Sequence, residues 1–471
     1  MTIEQIYTGC LAQGAYYIES KGEAAIIDPL REVGPYIKRA RQDGAKIKYI
    51  FETHFHADFV SGHLTLSDKT GAPIVYGPLA NPKFDAIIAT DGQEFPLGDL
   101  TIVALHTPGH TMESTTYLLR DKNGKDHAIF SGDTLFLGDV GRPDLAQKAA
   151  DMTQEQLAST LYDSLRNKIM PLSDEVVVYP AHGAGSACGK NMMKETVDTL
   201  GHQKETNYAL RADMTREEFI AEVTEGLLPP PKYFPLNVKM NKEGYEHVDA
   251  VLERGTRPLS PRAFEAAANE AGALILDVRN EEDFVKGHIP RSIFIGLDGS
   301  FAPWVGALVA DTEQPILLVA PQGREEEAVI RLSRVGFDNT LGYLEGGFDA
   351  WKLGSLEYDT VSSVSADRLK DRMAEEEEEL KVFDVRKESE YLSEHLVDAE
   401  NTPLDFLNNH LAEFPAEEVF YLHCAGGYRS VIAASILKSR GIHNLVNILG
   451  GFDAIKEAGL PVTDYVCPST L

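Results

Sequence analysis

The stretch Glu52–His63, ETHFHADFVSGH, gathers three histidines and an aspartate behind a run of apolar strand formers. His54 and His56 are two residues apart, and in an extended segment residues i and i+2 point to the same side. A strand running into a loop can therefore aim both imidazoles at one point, and Asp58 continues the spacing. One such grouping arises easily by chance. Here the same residue types recur where other strand-like segments end: His110 in HTPGHT, Asp133 in FSGDTLF and His182 in YPAHG. Imidazole and carboxylate donors at successive strand ends are what a divalent metal site in a layered α/β protein requires. Phe59 directly follows Asp58, and a phenyl ring offers no lone pair to an ion. His63 lies further along the loop and reads as a helix-start residue rather than a ligand.

A second chemistry sits near the C-terminus. VFYLHCAGGYRSVIAASILKSRG (Val419–Gly441) reads as strand, loop and helix. Cys424 stands just ahead of the helix, glycines let the backbone amides curl toward sulfur, and Ser430 can cap the helix. The macrodipole and those N–H donors favour thiolate over thiol, and Arg429 adds a positive charge for an anionic sulfur species. The four cysteines, Cys10, Cys188, Cys424 and Cys467, form no CxxC pair and read as free thiols. Cys10 and Cys188 have no evident histidine partner and are expected to be buried as small hydrophobes.

Several elements must position these groups. Ala24–Asp28, Lys48–His54, Pro73–Gly77, Thr101–His110, His127–Asp133 and Glu175–Gly183 are rich in β-branched or aromatic residues and end in turn formers, so each is expected to be a strand. The three consecutive prolines in Leu227–Asn237 cannot continue a helix or pair within a sheet, and open a connector that ends near Pro258. Beyond it the chain repeats. LILDVRNEEDF (Leu274–Phe284) matches KVFDVRKESEY (Lys381–Tyr391), and LEGGFDAWK (Leu344–Lys352) matches ILGGFDAIK (Ile448–Lys456). A period of roughly 100 residues means two copies of one domain, each a doubly wound parallel sheet. The acidic run Met373–Leu380 reads as a solvated helix end. The expected division is 1–226, a connector over 227–257, then 258–360 and 361–471.

Composition bounds the rest. With 43% hydrophobic and 25% charged residues the 471-residue chain has enough apolar material for several cores. Net charge of −29 argues against nucleic acid or anionic membrane as main partners. No apolar run approaches the ~20 residues of a membrane helix. The start, MTIEQIYTGC, lacks the basic and apolar regions of a signal peptide, so a cytoplasmic location is expected.

HxHxD, TPGHT, SGDTLF and PAHG, in that order, resemble the metallo-β-lactamase superfamily over residues 1 to about 225, which implies an αββα sandwich with metal at one edge of its two sheets. The superfamily's dinuclear pattern is HxHxDH; here Phe59 takes the last place, which weakens a second ion held by Asp58, His182 and a bridging Asp133. THFHADFVSGH, GDVGRPDL and YPAHGAGSACGKN look most like persulfide dioxygenases. That resemblance implies one Fe(II), held by His54, His110 and Asp133 with open positions for a thiol persulfide and O₂. His56, Asp58, Tyr179 and His182 would then orient the ligands. Arg142, Lys190 and Arg211 are candidates for binding an anionic carrier, although solvated surface charge is the simpler reading of each.

C-x-x-G-x-R after a strand, beside the DVR and GGFDA elements, resembles the rhodanese family, with Cys424 and Arg429 as catalytic residues. The first copy has Ala320 at the cysteine position and Glu325, Glu326 and Glu327 at the helix start, so it is expected to be inactive. Together these resemblances imply oxidation of a low-molecular-weight thiol persulfide to sulfite, with Cys424 passing a sulfane sulfur to sulfite to give thiosulfate, and a homo-oligomer is expected. Two alternatives stand beside this: a thioester hydrolase of the glyoxalase II kind, and a sulfur-carrier scaffold whose N-terminal site is silent.

Overall fold

The structure is a computed structural model and describes residues 1–375 and 380–467. The chain forms two compact units, Met1–Ala250 with Leu332–Gly336, and Val251–Arg331 with Phe337–Leu471. No described helix is long and apolar enough to cross a membrane. Part of the acidic run, 376–379, lies outside the described residues.

The first unit is built on two six-stranded sheets. One contains β1 (Thr2–Thr8), β2 (Gln13–Ser20), β3 (Glu23–Ile27), β4 (Lys46–Phe51), β5 (Ile74–Tyr76) and β6 (Ile87–Ile88), paired in that order. The other contains β7 (Glu94–Leu97), β8 (Leu100–His106), β9 (Thr115–Arg120), β10 (Asp126–Gly132), β11 (Val177–Pro180) and β12 (Asp198–Thr199). Alternation along β2 explains the layering. Tyr16 and Ile18 enter the core between the sheets with Ile27, Phe51, Tyr117 and Phe130. Ala15 and Tyr17 point the other way, onto Tyr36 and Ala40 of the helix Gly34–Gln42. The outer face of the second sheet is covered likewise, with Leu118, Ile129 and Val178 packed against Ala158 and Leu161. This is the expected αββα sandwich. The six strand segments expected from sequence are strands here, while β1, β2, β6, β7, β9 and β12 carry strand structure that the pattern did not single out.

The stretch expected to be a connector is largely helical, with helices Phe234–Glu243 and Val248–Gly255. Pro235 sits in the first turn of the former, where its missing N–H has no intrahelical partner to lose.

The second unit holds two five-stranded sheets of matching, all-parallel order. The first pairs β13 (Pro258–Leu259), β14 (Leu274–Asp277), β15 (Ile293–Phe294), β16 (Ile316–Val319) and β17 (Thr340–Leu344) in the order 13-17-16-14-15. The second pairs β18 (Ser363–Val364), β19 (Lys381–Asp384), β20 (Glu400–Asn401), β21 (Phe420–His423) and β22 (Leu445–Ile448) in the order 18-22-21-19-20. The internal repeat is therefore a repeat of topology. Both DVR elements do the same work: Arg279 clamps Asp277, and Arg386 clamps Asp384, just past β14 and β19.

Candidate functional site

The donors of the first unit arrive from four strand ends. His54, His56 and Asp58 lie on the loop that leaves β4, His110 in the turn between β8 and β9, Asp133 directly after β10, and His182 just after β11. All six are buried. Two glycines permit the approach. Gly109 has φ of 143°, and a Cβ there would lie 2.4 Å from Leu161 Cα. Gly132 has φ of 55°, and a Cβ there would meet Thr53 Cβ at 2.7 Å. Side chains at either position would push the His110 turn or the Asp133 strand end out of place.

His54, His110 and Asp133 each offer one donor atom, and these atoms lie within 4.8 Å of one another. Asp133 Oδ2 is 3.9 Å from His54 Nε2 and 3.5 Å from His110 Nε2. The far side of each ring fixes its tautomer. His110 Nδ1–H donates to the Arg142 carbonyl at 2.9 Å. Thr53 Oγ1 lies 2.9 Å from Asp28 Oδ2, which can only accept, so the hydroxyl proton goes there. Thr53 Oγ1 must then accept from His54 Nδ1–H, 3.0 Å away. Both Nε2 lone pairs are thus left facing Asp133, as metal-ligating histidines are held.

Electrostatics agree with this protonation. Burial, and then the neighbouring imidazoles, hold His54 well below the usual histidine range. Burial brings His110 down to about 4. Burial also pushes Asp133 up to about 6, and neither of its oxygens has an N–H or O–H partner among the described residues. Two neutral imidazoles and an unsatisfied buried carboxylate, all aimed at one point, fit a divalent cation, whose charge would offset the desolvation of Asp133.

A second group, His56, Asp58 and His182, lies beside the first. Asp133 Oδ1 faces His182 Nε2 at 3.5 Å, and Asp58 Oδ2 faces His182 Nδ1 at 3.5 Å. His56 is already occupied. Its Nε2 is 3.0 Å from Asp28 Oδ1 and 3.6 Å from Glu52 Oε2, close ionic contacts that lack hydrogen-bond alignment. Burial is the largest influence and would lower its pKa, but the carboxylates around it, Asp28 first and then Glu52 and Asp58, together outweigh burial and hold it at about 9. A protonated ring has no lone pair for an ion. Phe59 is fully buried, tilted against the His56 ring at 4.3 Å and 6.4 Å from His182, so carbon borders this second group. Cys188 is buried as expected, and it also lies against Asp133 and His182, where burial pushes its thiol well up.

Other sequence expectations fare differently. His63 does start a helix, His63–Thr70, with Nδ1 3.5 Å from Glu52 Oε1. Tyr179 does not join the cluster: its ring stacks on Phe130 at 5.2 Å and packs into the core between the sheets, because β11 turns it inward. Arg142 is buried, bonded to Asp144, the Ala187 carbonyl and the Leu228 carbonyl. Lys190 Nζ donates to the Glu222 and Glu225 carbonyls near the end of the helix Arg216–Thr224, and the exposed Arg211 pairs with Asp213. The charges of these three are committed within the chain.

The sequence reading missed Asp28, Thr53 and Asn241. Asp28 carried a signal, since it ends a strand as Asp133 does. Asn241, from the helix Phe234–Glu243, donates to the carbonyls of His56 and Phe59 at 2.8 Å each and accepts from Ser61 N–H at 2.9 Å. Nothing local announces that role.

In the second unit Cys424 follows β21 and is 1% exposed. Gly427, the N-cap of the helix Tyr428–Ser439 with φ of 117°, donates its N–H to Cys424 Sγ at 3.2 Å. Ser430 Oγ is 3.7 Å from Sγ and donates to the Gly427 carbonyl. Arg429 is held by Glu390 through two hydrogen bonds of 2.6 and 2.9 Å, so its charge is shared rather than free for an anion as the sequence suggested. In the first copy, Ala320 follows β16 and Arg324 pairs with Glu327 and Asp298.

Comparison with known proteins follows this division. Residues 8–182 match the metallo-beta-lactamase superfamily, and residues 260–353 and 365–458 match the rhodanese-like domain. The human mitochondrial persulfide dioxygenase is 29% identical over 221 residues, 46% of this chain and 78% of that enzyme. The cytoplasmic hydroxyacylglutathione hydrolase of Arabidopsis thaliana is 34% identical over 178 residues, 37% of this chain and 65% of that enzyme. A crystal structure of a metallo-beta-lactamase from Staphylococcus aureus COL superposes with a TM-score of 0.63 at 30% identity, covering 73% of this chain and 98% of that one. The chain belongs to the metallo-β-lactamase superfamily and carries two rhodanese-like domains behind its lactamase fold.

Proposed function

We propose that the chain is an iron-dependent persulfide dioxygenase joined to a sulfurtransferase. The coarser part of this, an enzyme of sulfur metabolism with a metal centre, is supported by the persulfide dioxygenase relative, the rhodanese-like domains and the His/Asp cluster. The observation that carries the finer reading is a triad with both Nε2 lone pairs turned toward Asp133, in the same chain as a buried cysteine facing a loop amide.

The first reaction is RSSH + O₂ + H₂O → RSH + H₂SO₃, with a small thiol persulfide as substrate. A ferrous ion at the triad would supply one-electron chemistry with O₂ and vacant positions for the sulfur donor. His54, His110 and Asp133 would hold it, and Thr53 and the Arg142 carbonyl would keep the imidazoles in the binding tautomer. In the second unit, Cys424 thiolate attacks the outer sulfur of a persulfide, releasing the thiol. Sulfite then attacks that sulfur, the S–S bond to Cys424 breaks, and thiosulfate leaves, with no net redox change. Gly427 N–H is placed to stabilise the sulfur anion at each stage.

The second reading is a thioester hydrolase with two metals, favoured by the 34% identity to the plant hydrolase and by Asp133 standing between two donor groups. Metal analysis and an oxygen electrode separate the two. One iron per chain with persulfide-dependent O₂ uptake is expected. Two zinc ions per chain with thioester hydrolysis and no O₂ uptake would refute the dioxygenase.

A further inference from the structure

The cysteine-less domain lies against the helix that carries the Cys424 loop. That helix, Tyr428–Ser439, is buried from Ser430 to Leu437, which fits its near-continuous apolar sequence. One face holds its own sheet. The other turns to the first rhodanese-like copy through residues 428, 435 and 438, a spacing that keeps them on one side of a helix. Ser435 Oγ accepts from Phe294 N–H at 3.0 Å, and Lys438 pairs with Asp359 at 3.0 Å.

Tyr428 makes the closest fit. Its hydroxyl donates to the Gly296 carbonyl at 2.8 Å, and its ring packs edge-on to Phe294 at 5.7 Å. Two glycines shape the slot. A Cβ on Gly299 would lie 2.3 Å from Tyr428 Cζ, and one on Gly296 would lie 3.2 Å from Tyr428 Cε2. Tyr428 is the first residue of its helix, directly after Gly427, whose amide touches Cys424 Sγ, and directly before Arg429. A ring locked by the neighbouring domain therefore fixes the peptide that faces the sulfur.

We propose that the cysteine-less domain is a clamp for the active loop of its neighbour: the Gly296–Gly299 slot grips Tyr428 and so holds the Gly427 amide on Cys424. Tyr428 is a positioning residue. The inference rests on reading Cys424 as the sulfur carrier, and it gives the inactive copy a task that needs no cysteine.

The test uses the full chain with four single substitutions, Y428A, Y428F, G299A and S435A. Two quantities are read: the rate at which iodoacetamide modifies Cys424 at fixed pH, followed by the mass of the peptide that carries it, and kcat and KM for sulfur transfer from thiosulfate to cyanide. Loss of one amide–sulfur hydrogen bond corresponds to about a fivefold to tenfold effect. Y428A and G299A are expected to lower the alkylation rate and kcat by that factor with KM little changed. Y428F keeps the ring in the slot and should retain most of both. S435A loosens the same interface away from the loop and should stay within about twofold. Wild-type behaviour in Y428A and G299A would overturn the clamp, and so would an equal fall in S435A, which would make the interface matter only for stability. If G299A does not fold, Y428A against Y428F still decides. Alkylation that follows the expected series in a chain transferring no sulfur would keep the clamp and remove the carrier reading.

Discussion

Thr53→Val removes the hydroxyl that locks the His54 tautomer, together with its bond to Asp28 Oδ2. Valine has the branching and nearly the volume of threonine, so the tight contact with Gly132 is kept while the hydroxyl is lost. His54 Nδ1–H then faces a buried site without its acceptor, and a buried donor left unpaired costs about 1–3 kcal/mol. The neutral ring lowers that cost by moving its proton to Nε2, on the side of the Asp133 carboxylate 3.9 Å away. A metal must then displace that proton and restore the unfavourable tautomer, so affinity should fall by about 5- to 150-fold. Competition against a chromophoric chelator, with zinc or anaerobic ferrous ion, measures this directly. Thr53→Ser restores the hydroxyl and should bind within a few-fold of wild type. A valine variant that binds metal as tightly as the parent chain, or a serine variant as weak as the valine, would refute the argument.

Three further outcomes are expected. Cys424→Ser should abolish sulfur transfer and leave persulfide-dependent O₂ uptake intact, because the two chemistries use donors from different units; equal loss of both in enzyme assays would contradict this. Asn241→Ala removes three buried hydrogen bonds to the His56–Ser61 loop and should destabilise the first unit by about 2–4 kcal/mol, with lower metal occupancy; an unchanged melting curve and full occupancy would count against the brace. Burial brings His288 down to about 4, despite the Phe284 carbonyl and Asp359. The unfolded chain therefore binds the proton first, near pH 6.5, and stability present above that pH is lost as pH falls toward 4. In urea titrations the advantage of wild type over His288→Gln should shrink by about 1–2 kcal/mol between pH 7 and pH 5; a constant gap would refute it.

What was legible in the sequence was what chain-local geometry determines. His54, His110, Asp133 and His182 could be read because each closes a strand, and strand ends in layered α/β folds converge at an edge. The two rhodanese-like copies could be read because their DVR and GGFDA elements repeat, and Ala320 because it breaks the repeat. The parts that escaped depend on register and distant packing. Thr53 reaches Asp28 only because β3 and β4 run parallel with Ile27 opposite Phe51. Sequence pattern alone places Tyr179 beside the site residues, but alternation along β11 turns it toward Phe130. The partner of Arg429, Glu390, lies 39 positions away in the chain, and Tyr428 meets Gly296 across 132 positions. No window of sequence contains both members of these pairs.

The Asn241 contact bears on how such proteins can be cut and recombined. A break placed at the triple proline, where composition invites it, would leave the carbonyls of His56 and Phe59 and the amide of Ser61 without their partner. An excised N-terminal fragment should therefore keep its sandwich and lose the stiffness of its ion-binding rim. The segment after the prolines packs as part of the first unit, and any chimera that keeps the ion-binding rim intact has to carry it along.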